Sequence, residues 1–236
     1  MGAHNLAMKC CVQIRGGPLC SKFPITSPWW FTDRVVRKYL ARAIPYLTGR
    51  LLDIGCGHKP YQEMIRCREY IGMEMTDKFK PDIVGDVRNM HMFESNTFDS
   101  ILSNQVLEHI DNVGQALREM QRVLKPGGYC VLTAPFIARL HGLPHDYWRF
   151  SISGLRYLLE KSGFKVEVIE AMGGYFTTLY YLRQFFVYEK CQKYIWSRWL
   201  CKVWMSVHNP WAWFVHKYDY DQTTPFNYLA IARKIE

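Results

Sequence analysis

Apolar residues along this chain form short continuous runs that alternate with stretches of helical spacing. The runs predict strands near 50–54, 69–74, 82–85, 97–103, 129–134, 164–171 and 227–233. Apolar residues that recur every three or four positions predict helices over 32–47, 60–67, 112–124 and 151–162. Strands that alternate with helices predict an α/β fold, here a doubly wound, Rossmann-like sheet of seven mostly parallel strands.

Polar residues and glycines mark the predicted ends of these helices. Thr32 or Asp33 is the expected N-cap of the first helix, and Asp111 is the expected N-cap of the helix after the fourth strand. Gly163 stands where the helix over 151–162 should end, because glycine accepts the left-handed backbone that often follows a helix. The apolar stripe of the helix over 112–124 is Val113, Ala116, Leu117, Met120 and Leu124.

A long aromatic segment separates the sixth predicted strand from the last. We expect residues 1–25 to form an irregular arm and residues 26–236 a single domain, in which residues 172–225 are a lid or insertion. This insertion holds five of the eight tryptophans, and a helix over 183–204 would carry an aromatic face opposite Lys and Arg residues. Three interpretations stay open: a lid packed on the protein's own core, attachment to a membrane surface, or a homodimer contact.

Composition narrows the class of protein. The formal net charge of +9 favours an anionic partner. The sequence shows no apolar stretch of signal-peptide or membrane-spanning length, which predicts a cytoplasmic protein, with the inner face of a membrane as one possible site. Its eight cysteines include no C-x-x-C pair and no paired His/Cys spacing, so no metal site is predicted, and a metal or disulfide role for Cys10, Cys11 and Cys20 is disfavoured.

The strongest chemical signal is the stretch Leu51-Leu52-Asp53-Ile54-Gly55-Cys56-Gly57, followed by Glu74 and Asp86. An apolar strand that ends in Asp-x-Gly-x-Gly predicts a tight turn where a ligand approaches the main chain closely. An acidic side chain about 20 residues on, at the end of the second strand, can accept both hydroxyls of a ribose. The pattern therefore predicts a nucleoside site.

The kind of nucleoside follows from a missing glycine. A dinucleotide site would place a glycine or alanine three positions after Gly57, but the chain has His58-Lys59-Pro60-Tyr61 there. This weakens the case for a pyrophosphate and favours a ligand with a ribose and an amino-acid tail.

On these residues and on three later segments, the chain resembles the class I S-adenosylmethionine-dependent methyltransferases, of the type 11 superfamily that includes ubiquinone-biosynthesis enzymes. The later segments are Gly85-Asp86-Val87, Ser103-Asn104-Gln105-Val106-Leu107-Glu108-His109 and Leu124-Lys125-Pro126-Gly127-Gly128. The resemblance implies S-adenosylmethionine as cofactor and S-adenosylhomocysteine as product. The cofactor site that it implies comprises Asp53, Gly55, Cys56, Gly57, Glu74, Met75, Asp86, Val87, Asn104 and Gln105.

A second cluster of polar and aromatic residues follows the fifth strand, at His141 and His145-Asp146-Tyr147-Trp148-Arg149-Phe150. It is similar to a stretch in methyltransferases associated with glycan and lipid modification. His145, Asp146 and His109 are the candidate bases for an acceptor hydroxyl, and Tyr147, Arg149 and His141 are candidate substrate contacts. A structural ion pair between Asp146 and Arg149 is the competing interpretation.

Together these features predict an enzyme that methylates oxygen on a sugar, a lipid-linked molecule or an aromatic small molecule. A nucleic-acid methyltransferase is the first alternative, suggested by the positive charge, but the chain has no Asn/Asp-Pro-Pro-Tyr/Phe motif and no separate nucleic-acid module. The second alternative is a cofactor-binding protein without turnover that attaches to a membrane or to another protein.

Overall fold

The computed structural model describes residues 21–235, and seven strands form one sheet in the order β3-β2-β1-β4-β5-β7-β6. The strands are β1 (Arg50–Ile54), β2 (Glu69–Glu74), β3 (Ile83–Val84), β4 (Phe98–Asn104), β5 (Leu124–Pro135), β6 (Phe164–Met172) and β7 (Asn227–Lys234). β7 runs antiparallel between β5 and β6, whereas β1 to β5 pair in parallel. This confirms the predicted α/β class and the doubly wound sheet.

Five α-helices cover the two faces of the sheet. They are α1 (Trp29–Ala43), α2 (Val113–Val123), α3 (Ile152–Lys161), α4 (Tyr175–Cys191) and α5 (Ile195–His216). Alternate residues of each strand point to opposite faces, so Leu52 packs with α2 and α3 while its neighbour Leu51 packs with α1, α4 and α5. The sheet therefore separates two apolar cores and leaves the carboxyl ends of its parallel strands open for a ligand.

One predicted helix is absent. Over 60–67 the structure has only a short 3-10 turn, Gln62–Met64, and Ile65 is already extended toward β2. The left-handed φ of 51° at Lys59 also turns the chain sharply just before this segment. The apolar spacing predicted a helix wrongly here. Tyr61, Met64 and Ile65 are apolar because they are buried beneath α1, although they do not lie on an α-helix.

Two predicted N-caps are wrong. Helix α1 begins at Trp29, so Thr32 and Asp33 lie inside it, and the Asp33 carboxylate accepts a hydrogen bond from Nε of Arg37 at 2.9 Å. Helix α2 is capped by Asn112, whose side chain accepts from the backbone N–H of Gln115 at 3.1 Å.

Asp111 has another partner, because Nη1 of Arg88 donates to its carboxylate at 2.7 Å. The predicted end of α3 is confirmed: Gly163 follows the helix with a φ of +87°. The N-terminal arm lies mostly outside the described residues, as do Cys10, Cys11 and Cys20. Cys56, expected in the sheet, lies just after β1, and like Cys130 it is a buried free thiol.

The aromatic insertion forms a helical hairpin of α4 and α5. The predicted helix over 183–204 is wrong, because the chain leaves the helical conformation at 192–194. Tyr180, Tyr181 and Phe185 are buried against α1, whereas Trp196 and Trp199 are more than 60% exposed. Within residues 21–235, none of the helices combines the length and the apolarity that a membrane crossing requires.

Candidate cofactor and acceptor site

A cavity of about 460 Å³ opens at the carboxyl ends of the parallel strands, a size typical of small-molecule sites. Its wall comes from the turn after β1, the end of β2, the segments after β3 and β4, and the loop after β5. We call it the first cavity. The residues that line it are Ile54, Gly55, Met73, Glu74, Met75, Gly85, Val87, Arg88, Gln105, Val106, His109, Ile110, Asp111, Gly142, His145 and Tyr147.

The glycine turn has the tight geometry that its sequence predicts. Gly55 has a φ of +68°, and a Cβ atom at this position would lie 2.4 Å from Cγ2 of Val106 across the cavity. The backbone N–H of Gly57 donates to Oε1 of Glu74 at 2.7 Å, which ties the turn to the end of β2. Glu74 therefore lies on the cavity wall. Its Oε1 is held by the Gly57 hydrogen bond, and its Oε2 takes no part in that hydrogen bond.

Asp86 lies beside this wall, but its carboxylate is occupied. Arg88 donates to it from Nε, from Nη2 and from its own backbone N–H, at 2.7 to 3.0 Å. These hydrogen bonds hold the pKa of Asp86 below its usual value. The flanking residues Gly85 and Val87 line the cavity, so the loop after β3 presents main chain and Val87 to a ligand rather than the Asp86 side chain.

Asp53 lies beneath the turn instead of on the wall. Its side chain is buried and accepts a hydrogen bond from the Tyr70 hydroxyl at 2.5 Å. Burial raises the pKa of Asp53 to about 7, with the Tyr70 hydrogen bond opposing the shift. Cys56 and Gly57 also lie outside the lining, whereas Met75 is part of it. Asp53 thus braces the glycine turn from below.

A second cavity, of about 230 Å³, lies on the other side of the segment that follows β4. Gln105 lines both cavities, and Asn104 and His141 line the second. The rest of its wall is largely aromatic and apolar, with Phe23, Trp29, Val36, Tyr61, Ala138, Tyr181 and Phe226. A ligand in the first cavity and a molecule in the second would therefore meet at Gln105.

Asn104 and Gln105 belong to one hydrogen-bond network. The Thr133 hydroxyl donates to Oδ1 of Asn104 at 2.8 Å and accepts from Nε2 of Gln105 at 3.1 Å. Nδ2 of Asn104 donates to the Tyr61 hydroxyl at 3.3 Å. Side chains held in this way form a rigid boundary between the two cavities.

The segment after β5 divides between the two cavities. Arg149 donates to both oxygens of Asp146, at 2.6 and 2.9 Å, and the Asp146 side chain is fully buried. This pairing holds the pKa of Asp146 well below its usual range. Arg149 also donates to three backbone carbonyls, those of Ala138, Arg139 and Trp148, so the geometry is that of a structural ion pair, the competing interpretation. The Asp146 carboxylate does not orient the His145 ring. It accepts a hydrogen bond from the backbone N–H of His141 instead.

His145 and Tyr147 line the first cavity rather than the second, and Nδ1 of His145 lies 2.9 Å from the Tyr147 hydroxyl. Of the predicted substrate contacts, only His141 lines the second cavity. The sequence predicts that this segment lies beside the mouth of the cofactor cavity, because it follows β5 directly. The structure places His145 and Tyr147 on the wall of the first cavity.

The fold also brings together Glu108, His109 and His141, although the sequence showed no paired spacing of metal-ligating residues. One side-chain ligand atom from each lies within 4.8 Å of the other two. Oε1 of Glu108 lies 3.6 Å from Nε2 of His141, and this carboxylate raises the pKa of His141. Sequence reasoning missed Glu108 as a site residue because only the loop after β5 brings His141 next to it.

The first cavity fits a nucleoside with an amino-acid tail. Gly55 is part of the cavity wall, Glu74 offers a carboxylate there, and Val87 and Val106 supply apolar contacts for a base. The cavity does not offer the glycine-rich helix N-terminus that a pyrophosphate needs, because the segment after Gly57 forms a turn and no α-helix.

Comparison with known proteins agrees with this geometry. Residues 52–132 match the family model described as a methyltransferase domain. An uncharacterized methyltransferase of Schizosaccharomyces pombe is 31% identical over 126 residues, which are 42% of this chain and 44% of that protein. A ubiquinone biosynthesis O-methyltransferase of Alkalilimnicola ehrlichii is 27% identical over 142 residues, 52% of this chain and 54% of its own length. The chain thus spans about half the length of these relatives.

The crystal structure of a SAM-dependent methyltransferase from Archaeoglobus fulgidus shares the fold, with a TM-score of 0.55 and 23% identity over 85% of this chain and 93% of that one. The family match covers the strands and turns that build the first cavity. Residues 52–132 are thus similar to a methyltransferase domain, and the chain as a whole has the fold of a SAM-dependent methyltransferase.

Proposed function

We propose that this protein transfers a methyl group from S-adenosylmethionine to an oxygen atom of a small acceptor bound in the second cavity. The observation that carries the proposal is the pair of cavities that share Gln105. One has a nucleoside-type wall and the other an aromatic wall. Two reactants held on either side of this residue would be brought within reach of each other, which is what a bimolecular transfer requires of an enzyme.

The residues of the first cavity would hold the cofactor. Glu74 would accept hydrogen bonds from the ribose hydroxyls, Val87 and Val106 would contact the adenine, and the main chain at Gly55 would approach the methionine tail. S-Adenosylmethionine supplies a methyl group that is activated by its bond to a positively charged sulfur. His145 and Tyr147 would cover the adenosine side and exclude water.

The second cavity supports a sugar, an aromatic compound or the head of a lipid-linked molecule as the acceptor. Phe23, Trp29, Tyr61 and Tyr181 offer flat apolar faces, on which sugar and aromatic rings pack well. The volume of about 230 Å³ suits a single ring better than a nucleic-acid strand. An acceptor hydroxyl must lose its proton near the junction of the two cavities, where Glu108, His109 and His141 lie.

Cofactor binding is tested by calorimetry with S-adenosylhomocysteine. Glu74→Ala should weaken binding by about 1–3 kcal/mol, because a charged hydrogen bond to the ribose is lost. Glu69→Ala is the matched control, since Glu69 lies at the opposite end of β2 and pairs with Arg50 on the surface. Wild-type protein that binds neither the cofactor nor its product would refute the proposal.

Methyl transfer is tested with a radiolabelled cofactor and a panel of sugars, quinols, phenols and lipid-linked glycans. Label in one acceptor class, located on oxygen by NMR, is the expected result. Label on carbon or nitrogen would overturn the oxygen assignment. Tight cofactor binding without transfer to any acceptor would favour a protein that binds the cofactor without turnover. Label in RNA or DNA, with binding that falls steeply with salt, would favour the nucleic-acid alternative.

We also propose that the α4–α5 hairpin attaches the protein to the anionic surface of a membrane, at its cytoplasmic face. Its outer face, defined here by Phe186, Ile195, Trp196, Trp199, Leu200, Val207, Trp211 and Phe214, is apolar and exposed. Exposed cations lie beside this face, namely Arg183, Lys190, Lys193, Arg198 and Lys202. Aromatic residues flanked by Lys and Arg are typical of helices that lie in a membrane interface.

Flotation with phosphatidylcholine vesicles, with and without 30 mol% phosphatidylglycerol, tests this attachment. Wild-type protein should float with the anionic vesicles only, and Trp196→Ser combined with Trp199→Ser should abolish flotation. Tyr157→Ser is the matched control, because Tyr157 is equally exposed but lies on α3. A dimer in light scattering that the double variant dissociates, together with no flotation, would show that the outer face is a homodimer contact.

A further inference from the structure

The cluster of Glu108, His109 and His141 is built around a buried carboxylate that accepts no hydrogen bond from the described part of the chain. Glu108 is fully buried, and within the described part of the chain neither of its carboxylate oxygens has a hydrogen-bond partner. Nε2 of His141 lies 3.6 Å from Oε1 of Glu108, beyond hydrogen-bond range. A buried carboxylate without donors is costly, and a bound cation would compensate this cost.

In both histidines Nδ1 faces a backbone carbonyl, which leaves Nε2 of each ring for another contact. Nδ1 of His109 lies 2.6 Å from the backbone oxygen of His145, and Nδ1 of His141 lies 3.1 Å from that of Arg139. A carbonyl can only accept, so each Nδ1 carries a hydrogen, and Nε2 of each ring can bind a metal ion once that nitrogen is deprotonated. Metal-binding histidines are typically oriented by such a hydrogen bond from the second ring nitrogen.

We propose that Glu108, His109 and His141 form a site for a divalent transition-metal ion such as Zn²⁺. Two imidazoles and one carboxylate are a ligand set that zinc accepts, and three protein ligands leave a coordination position open. Ligand atoms around a tetrahedral zinc ion lie roughly 3.4 Å apart. The ligand atoms here lie within 4.8 Å of one another, so the longest of these distances must shorten by up to about 1.4 Å to hold the ion.

The position of the site gives the ion a role in the proposed function, on which this part of the inference rests. His109 lines the first cavity and His141 lines the second, so the ion lies at their junction. Its open position is available to an acceptor hydroxyl. A metal-bound hydroxyl releases its proton to water more readily. The oxygen would then form a bond to the methyl carbon as the carbon–sulfur bond of S-adenosylmethionine breaks, which leaves S-adenosylhomocysteine. The ion would thus do what Asp146 cannot do as a base, because the Asp146 carboxylate is paired with Arg149.

Ion binding is tested on full-length protein that has been stripped with a chelator and checked for residual metal. Cys10, Cys11 and Cys20 are replaced by Ser, because thiols also bind zinc. Calorimetry with Zn²⁺ and the absorption spectrum with Co²⁺ should both give one ion per chain. Glu108→Gln and His141→Ala should each weaken zinc binding at least tenfold, whereas His91→Ala, an exposed histidine elsewhere, should leave it unchanged.

A second measurement keeps the test decisive if a variant folds poorly. Zn²⁺ should raise the Tm of the wild type but not that of Glu108→Gln, and Glu108→Gln without metal should melt no lower than metal-free wild type, because a buried charge is removed. Zinc that binds equally well to every variant, or not at all, overturns the proposed site. S-Adenosylhomocysteine binding is measured on the same samples. Product binding without zinc binding rejects the ion site alone, whereas failure of product binding rejects the proposed function.

Discussion

Replacement of Gly55 by alanine tests how the glycine turn shapes the first cavity. Gly55 has a φ of +68°, where an L-residue costs about 1–2 kcal/mol. Its new Cβ would lie 2.4 Å from Cγ2 of Val106, so that side chain must move, at a further cost of about 1–3 kcal/mol. Gly55→Ala should therefore lower the free energy of unfolding by about 2–5 kcal/mol.

Gly57→Ala is the matched control. Gly57 also has a positive φ, of +50°, but a Cβ atom there would meet no protein atom within 4 Å. Gly57→Ala should lower the free energy of unfolding only by the cost of the left-handed backbone conformation, about 1–2 kcal/mol. The difference between the two variants isolates the contact with Val106.

Urea denaturation of the single variants and of Gly55→Ala/Val106→Ala gives the coupling energy directly. Because Val106→Ala removes Cγ2, Gly55→Ala should destabilise the Val106→Ala variant by about 1–3 kcal/mol less than it destabilises the wild type. Calorimetry should show that S-adenosylhomocysteine binds Gly55→Ala at least tenfold more weakly, because the displaced Val106 side chain narrows the cavity. Equal stability of Gly55→Ala and Gly57→Ala, or no recovery in the double variant, would refute this reasoning.

Three further changes test other parts of the structure. Burial raises the pKa of Asp53 to about 7, so the folded wild type retains a proton that the unfolded chain releases near pH 4. In urea titrations, the free energy of unfolding of Asp53→Asn minus that of the wild type should thus increase by up to ~4 kcal/mol from pH 4 to pH 8. A difference that does not change with pH would contradict this. Arg149→Met leaves the buried Asp146 charge without its ion-pair partner and should lower the free energy of unfolding by about 3–5 kcal/mol at pH 7. The loss should be smaller at pH 3, because Asp146 can then take up a proton. An equal loss at both pH values would contradict the ion pair. Asn112→Ala should cost about 1 kcal/mol in thermal unfolding as the lost cap of α2, and an equal loss in Asp111→Ala would show that the cap is assigned to the wrong residue.

The sheet was predictable from the sequence because its signal is local. Each buried strand is a short apolar run, and β2 begins and ends at the residues predicted. The turn around Gly55 was predictable for the same reason, since glycine and the preceding strand identify it without reference to the rest of the chain. Helix boundaries were less accurate: Asn112 caps α2 although Asp111 beside it is an equally good cap by residue type.

The remaining features depend on contacts between distant parts of the chain. The sequence places the segment of His145 beside the cofactor mouth, but the hydrogen-bond partners of each side chain depend on how the loop after β5 bends, which residue types do not encode. The same holds for His141 and Glu108, whose proximity is created by that loop. The hairpin break at 192–194 was also missed, because the residues on both sides keep helical spacing while the chain reverses between them.

The position of β7 affects how the chain folds as it is synthesised. In the sheet order, β6 is an outer strand whose neighbour is β7, and residues 173–226 lie between the two along the chain. At the usual pace of translation, roughly 3–11 s pass after β6 leaves the ribosome before β7 can reach it. During this interval β6 and the edge of β5 have unpaired backbone groups, and a chaperone that shields them would raise the yield of native protein.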